Sequence, residues 1–135
     1  MPEPEPYRIF ISHAWDDNEE YKRLVRVLQE APSFQWTNTA PNAASVPPET
    51  EAGLTRALAE QIQAAQVVVI LGGIYSDHSF WIKKETSLAA AMGKPILGVS
   101  PWGNERLPDV VRQTASEIVG WNTKAITSAI QRLAQ

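Results

Sequence analysis

The chain has no cysteine, which excludes disulfides, thiolate metal sites and cysteine nucleophiles from its chemistry. Histidine is nearly as scarce: His13 and His78 stand far apart and form no ligand pair, so no metal site is expected. No apolar run approaches the roughly 18–20 residues of a membrane span; the longest is the short stretch Val67–Leu71. Positive charge is also in short supply. The net charge is −3 and the basic residues are scattered, without the patch or stripe of a nucleic-acid binder. A small anionic ligand stays compatible with this balance, because helix N-termini hold phosphates without a basic surface. The opening Met1-Pro2-Glu3-Pro4-Glu5-Pro6 is acidic and proline-rich, unlike the basic start and apolar middle of a signal peptide. A cytoplasmic protein is therefore expected, with residues 1–6 as a disordered lead-in.

What is present suffices for one domain over residues 7–135, since 44% of the 135 residues are hydrophobic. Tyr7–Ile11 reads as a buried strand and Ser12–Asp17 as the loop leaving it, where Asp16 or Asp17 suits a helix cap. Over Glu19–Glu30 the residues Tyr21, Leu24, Val25 and Leu28 recur at helical spacing, and Pro32 ends the helix. Phe34–Thr37 is short, aromatic and β-branched, which suits a strand. Residues 38–52 hold Asn38, Pro41, Asn42, Pro47 and Pro48 with almost no large apolar side chain. A loop of that length in a compact domain is usually functional or mobile. A helix over Glu51–Ala64 follows, and then Val67–Leu71, a β-branched run suited to a strand covered on both faces. After Gly72–Gly73 and a loop, a helix is expected from about Ser79 to Met92. Pro95–Val99 is a fourth strand, Ser100–Pro108 a loop and Asp109–Ala115 a short helix. Glu117–Val119 is a fifth strand, and Thr123–Leu133 a last helix capped by Asn122.

Strand and helix thus alternate five times. Strict alternation with apolar strands points to an α/β fold: a parallel sheet between two helical layers. Five strands favour the flavodoxin-like three-layer sandwich with order 2-1-3-4-5, where the order reverses between strands 1 and 3. In such sheets ligands bind beyond the carboxyl ends of the strands at that reversal. The rule selects the loops Ser12–Asp17 and Gly72 through His78, with Asn38 and Trp102 on loops that rim the same crevice. Several familiar uses of the fold are excluded there. The chain has no Gly-Lys-Ser/Thr phosphate loop, and Ser12 to Asp17 carries no glycine fingerprint. Gly72 and Gly73 stand where a receiver domain places its phosphorylated aspartate, and Ser12 alone does not make a flavin-phosphate loop.

Glu85 is the anomaly. At 100° per residue, Trp81, Glu85, Leu88, Ala89 and Met92 share one apolar sector, opposite Lys83, Lys84 and Ser87. A carboxylate on the inward face loses solvation, which raises its pKa unless donors satisfy it, and such groups concentrate at functional sites. The alternative is a structural glutamate held by backbone amides or by a basic partner such as Arg8. Tyr75 and Trp81 fit a core as well as a ligand platform. His13 fits a hydrogen bond within its own loop, and Lys83 and Lys84 fit a solvated face.

Phe10-Ile11-Ser12-His13, followed by Trp15-Asp16, resembles the first-strand motif of TIR and TIR-like domains. Ser79-Phe80-Trp81-Ile82-Lys83-Lys84-Glu85 resembles their third-helix motif, in which a serine and a tryptophan precede the glutamate. Gly93-Lys94-Pro95-Ile96, Pro101-Trp102-Gly103 and Val119-Gly120-Trp121-Asn122-Thr123 are similar to the TIR-like branch of Thoeris antiphage systems. The resemblance runs from Tyr7 to Leu133, and five motifs in the right order make it specific. It implies a cytoplasmic enzyme that breaks the nicotinamide–ribose bond of NAD with Glu85 as catalytic carboxylate. NAD is then a substrate, and no cofactor is held permanently. It further implies a phage-derived activator and a cyclic ADP-ribose isomer that diffuses to a separate effector. Assembly through TIR surfaces, with the segment Asn38–Glu51 taking part, belongs to the same expectation. The implied substrate contacts are Phe10, Ser12, His13, Trp15, Asn38, Gly73, Tyr75, Ser79 and Trp81. Other TIR-like domains serve as non-catalytic interaction or nucleotide-sensing modules.

Overall fold

Val67-Val68-Val69-Ile70 leaves no polar side chain for either face of a sheet, so both faces must be covered. The computed structural model describes residues 6–11, 19–31, 34–39, 51–71, 75–99 and 113–134, with the backbone alone for 19–21, 51, 54, 71 and 75–82. Its strands are β1 (Tyr7–Ile11), β2 (Trp36–Asn38), β3 (Val67–Leu71), β4 (Ile96–Val99) and β5 (Glu117–Val119). All pair in parallel, in the order β2-β1-β3-β4-β5. This is the flavodoxin-like order expected from the alternation of elements.

The helices are α1 (Glu19–Glu30), α2 (Glu51–Ala64), α3 (Tyr75–Ala91) and α4 (Thr123–Leu133). Helix α1 packs with α4, and α2 packs with α3. Right-handed crossovers account for the pairing: stepping from β1 to β2 and then back across to β3 puts α1 and α2 on opposite faces. Ile9, Phe10, Ile11, Val67, Val68, Val69, Ile70, Leu97 and Val99 fill the middle layer. Leu24, Leu28, Ile126 and Ile130 come in from one side, and Leu58, Ile62 and Ala89 from the other. Sheet strands at the two edges are only three residues long, and Ile118 on β5 is 44% exposed. Beside it Arg132 forms an ion pair with Glu117, a half-exposed contact of little energetic weight.

Two helix ends show why the chain turns where it does. Helix α3 stops in a Schellman motif: Lys94 N–H donates to the Ala89 carbonyl at 2.9 Å and Gly93 N–H to that of Ala90 at 3.2 Å. Gly93 takes φ +69°, which a residue without Cβ adopts at no steric cost, and β4 follows directly after Pro95. At the other end of the chain, Asn122 caps α4, its Oδ1 accepting from Ala125 N–H at 2.9 Å. Replacing it with alanine is expected to cost about 1 kcal/mol, read as a lower urea midpoint with an unchanged slope.

Several boundaries differ from the sequence expectation; β4, for one, starts at Ile96 rather than Pro95. Helix α3 begins at Tyr75 rather than near Ser79, because Ser76, Asp77 and Ser79 are as acceptable in a helical first turn as in a loop. Strand β2 is Trp36–Asn38 rather than Phe34–Thr37. Phe34 instead stacks on Tyr7, with ring centroids 5.4 Å apart and planes 14° from parallel, so its aromatic character serves the core before the strand begins. Of the short helix expected over Asp109–Ala115, residues 113–114 are helical, and 109–112 lie outside the described residues.

Candidate active site

The order of strands reverses beside β1, which pairs with β2 on one side and β3 on the other. Helix α3 starts four residues after β3 ends and runs back along the sheet, against β3 and α2. Glu85 sits ten residues after Tyr75, about 15 Å along the helix axis. It is 2% exposed, the one charged side chain buried among the described residues. Ala89, one turn on, is also buried, and Leu88 and Met92 pack against the core, as the helical spacing requires. The opposite side carries Lys83 and Ser87, both exposed.

Arg8, the basic partner considered from the sequence, is engaged elsewhere. Its Nε donates to the Ala64 carbonyl at the C-terminal end of α2 (2.9 Å), and its side chain is exposed. Glu85 is not without other interactions, yet its Oε2 is buried and receives no hydrogen bond.

A residue flanking the apolar sector, which the spacing did not single out, is buried as well. Thr86 is 1% exposed, its Oγ1 donating to the Lys83 carbonyl at 3.0 Å within the helix. A threonine whose hydroxyl bonds its own helix presents little but its methyl group to neighbours. Lys84 departs from the solvated face expected of it: it is half-buried, and its Nζ donates to Thr55 Oγ1 on α2 at 2.8 Å. That contact edges a groove of about 330 Å³ between α2 and α3, lined by Thr55, Lys83, Lys84, Ser87 and Leu88. Glu85 is not among the residues that line this groove.

Residues 10–106 match the family model described as Thoeris protein ThsB, TIR-like domain. The chain belongs to that family. A solved structure similar to this ThsB TIR-like domain is that of Clostridium botulinum CMP N-glycosidase, BcmB. The TM-score is 0.55 at 18% identity, over 93% of this chain and 98% of that one. At that identity the likeness is one of fold. No curated protein matches the chain.

Of the contacts expected in this TIR-like domain, Phe10 is 1% exposed and belongs to the core. Asn38 ends β2, where its Oδ1 accepts from Ile11 N–H at 3.3 Å. Tyr75, Ser79 and Trp81 all fall on α3, the last of them four residues before Glu85. Ser12, His13, Trp15 and Gly73 lie outside the described residues, as do Asp16, Asp17, His78's side chain and Trp102. Trp121, part of a family-like motif, packs on the core with the Arg23 guanidinium 4.5 Å from its ring centroid. This cation–π contact ties α1 to the turn before α4. Among the described residues no group of three or more His, Asp or Glu is placed to hold a metal. No described helix is long and apolar enough to cross a membrane.

Proposed function

We propose that this ThsB TIR-like domain cleaves the nicotinamide–ribose bond of NAD, with Glu85 as the catalytic carboxylate, and makes a cyclic ADP-ribose-type messenger. The observation that carries the reading is the burial of Glu85 on the inner face of α3, the helix entered from the crevice beside β1 and β3. As the C1′–N bond breaks, nicotinamide leaves with the electron pair and C1′ gains oxocarbenium character. A carboxylate fixed in a low-dielectric site stabilises that charge and accepts hydrogen bonds from the ribose hydroxyls. Capture of C1′ by water gives ADP-ribose; capture by a nucleophile on the adenosine half gives the cyclic product.

The reading includes Ser12, His13, Trp15, Gly73, Tyr75, Ser79 and Trp81 as substrate contacts, a phage-derived activator, and a separate effector reached by the messenger. The test is incubation of the full chain with NAD, with and without extract from phage-infected cells, and chromatography of nicotinamide and the ADP-ribose products. Nicotinamide release that rises with the infected extract is the expected result. A parallel arm offers CMP, because a CMP N-glycosidase shares the fold. Cytosine release without nicotinamide release would replace NAD by a nucleoside monophosphate as substrate. Silence in both arms, with a partner captured from the infected extract, would favour a non-catalytic module.

A further inference from the structure

The β1–β2 ladder ends in an irregular way at the crevice. Tyr7 N–H donates to the Gln35 carbonyl at 2.9 Å, and the register pairs Ile9 with Asn38. Carried on by the same offset, the ladder would bring Ile11 N–H to the carbonyl of Thr39. Thr39 N–H still donates to the Ile9 carbonyl at 2.8 Å, but Ile11 N–H turns to the Asn38 side chain, reaching Oδ1 at 3.3 Å. A side chain thus closes the ladder one step before the backbone would. Ile11 is the last residue of β1 and is fully buried, so its N–H needs an acceptor from inside the protein. Asn38 supplies that acceptor from its side chain, in place of the Thr39 carbonyl. Aspartate would do the same through a carboxylate oxygen, whereas an apolar side chain would leave the donor stranded.

From this we infer that Asn38 is a positioning residue: its Oδ1 fixes the carboxyl end of β1, the strand end that borders the crevice. Asn38 acts through the backbone of Ile11 rather than by presenting its amide to substrate. The inference rests on the reading of the crevice as the NAD site, and it gives Asn38 a supporting role in place of the ligand contact that the family resemblance implied.

The test compares Asn38→Leu and Asn38→Asp with wild type. The leucine variant removes the acceptor at similar volume; the aspartate variant keeps an acceptor oxygen and removes the amide donor. Two measurements are made on each: amide hydrogen exchange at Ile11 and steady-state turnover of NAD. The leucine variant is expected to exchange about tenfold faster at Ile11 and to lose about ten- to hundredfold in kcat with a smaller change in KM. The aspartate variant should recover both. Unchanged exchange at Ile11 in the leucine variant would overturn the inference. So would an aspartate variant with wild-type exchange but lost turnover, which would return Asn38 to ligand contact. Exchange needs no substrate, so failure of the wild type to consume NAD would count against the reaction while Ile11 still decides the role of Asn38.

Discussion

Glu85→Gln is expected to lower NAD turnover by about 10²–10³-fold and to leave the protein folded. The size follows from the chemistry. A fixed charge aimed at a developing opposite charge in a site shielded from water is typically worth about 10²–10³ in rate, or roughly 3–4 kcal/mol of barrier. Glutamine keeps the volume and the hydrogen-bonding reach while losing the charge. Stability should move little or even rise, because a buried charge is costly to hold and a neutral amide is less so. The two readouts together separate the roles that the sequence left open. A structural glutamate would show lost thermal stability without selective loss of turnover per folded molecule. Equal NAD consumption by both proteins at equal stability would remove Glu85 from the mechanism.

Phe10→Ala should have the largest effect on stability of any residue in the first-strand motif. Phe10 is 1% exposed, next to last in β1, and is the largest fully buried side chain among the described residues. Its truncation leaves a cavity between sheet and helices, and such changes cost about 3–5 kcal/mol. For a domain of this size that is a fall of roughly 10–20 °C in melting temperature, a large part of the usual 5–15 kcal/mol of total stability. Scanning calorimetry or chemical denaturation measures it directly. Phe10→Leu, which refills most of the volume, should restore most of the loss and keep NAD turnover per folded molecule. A leucine variant that is stable but inactive would make Phe10 a substrate contact after all.

These two residues also show how far the sequence could be read. Glu85 was legible because its anomaly is local: helical spacing alone puts a carboxylate among apolar neighbours, and the fold then buries it. Strand β3, with four β-branched residues in a row, and α4, with Asn122 before it, were legible for the same reason. Phe10 was legible as part of the buried strand Tyr7–Ile11, and it is 1% exposed. Lys84 and Thr55 lie twenty-nine positions apart, and no periodicity within either helix reveals that they meet. Asn38 read as a loop residue because asparagine is rare inside strands. Its place as the end of a ladder depends on the register between β1 and β2, which only pairing in space defines. The start of α3 was missed because polar residues there satisfy loop and helix alike.

The brevity of β2 and β5 has a consequence for how copies of this protein can meet. Strand addition gains its affinity from a row of main-chain hydrogen bonds, and each border here offers only three residues to template one. The sheet tapers from five residues at β1 and β3 to three at both margins. Such a taper discourages runaway polymerisation through the backbone. Contact between copies is left to side chains on the helical layers and the connecting segments, where the choice of neighbour can be encoded residue by residue.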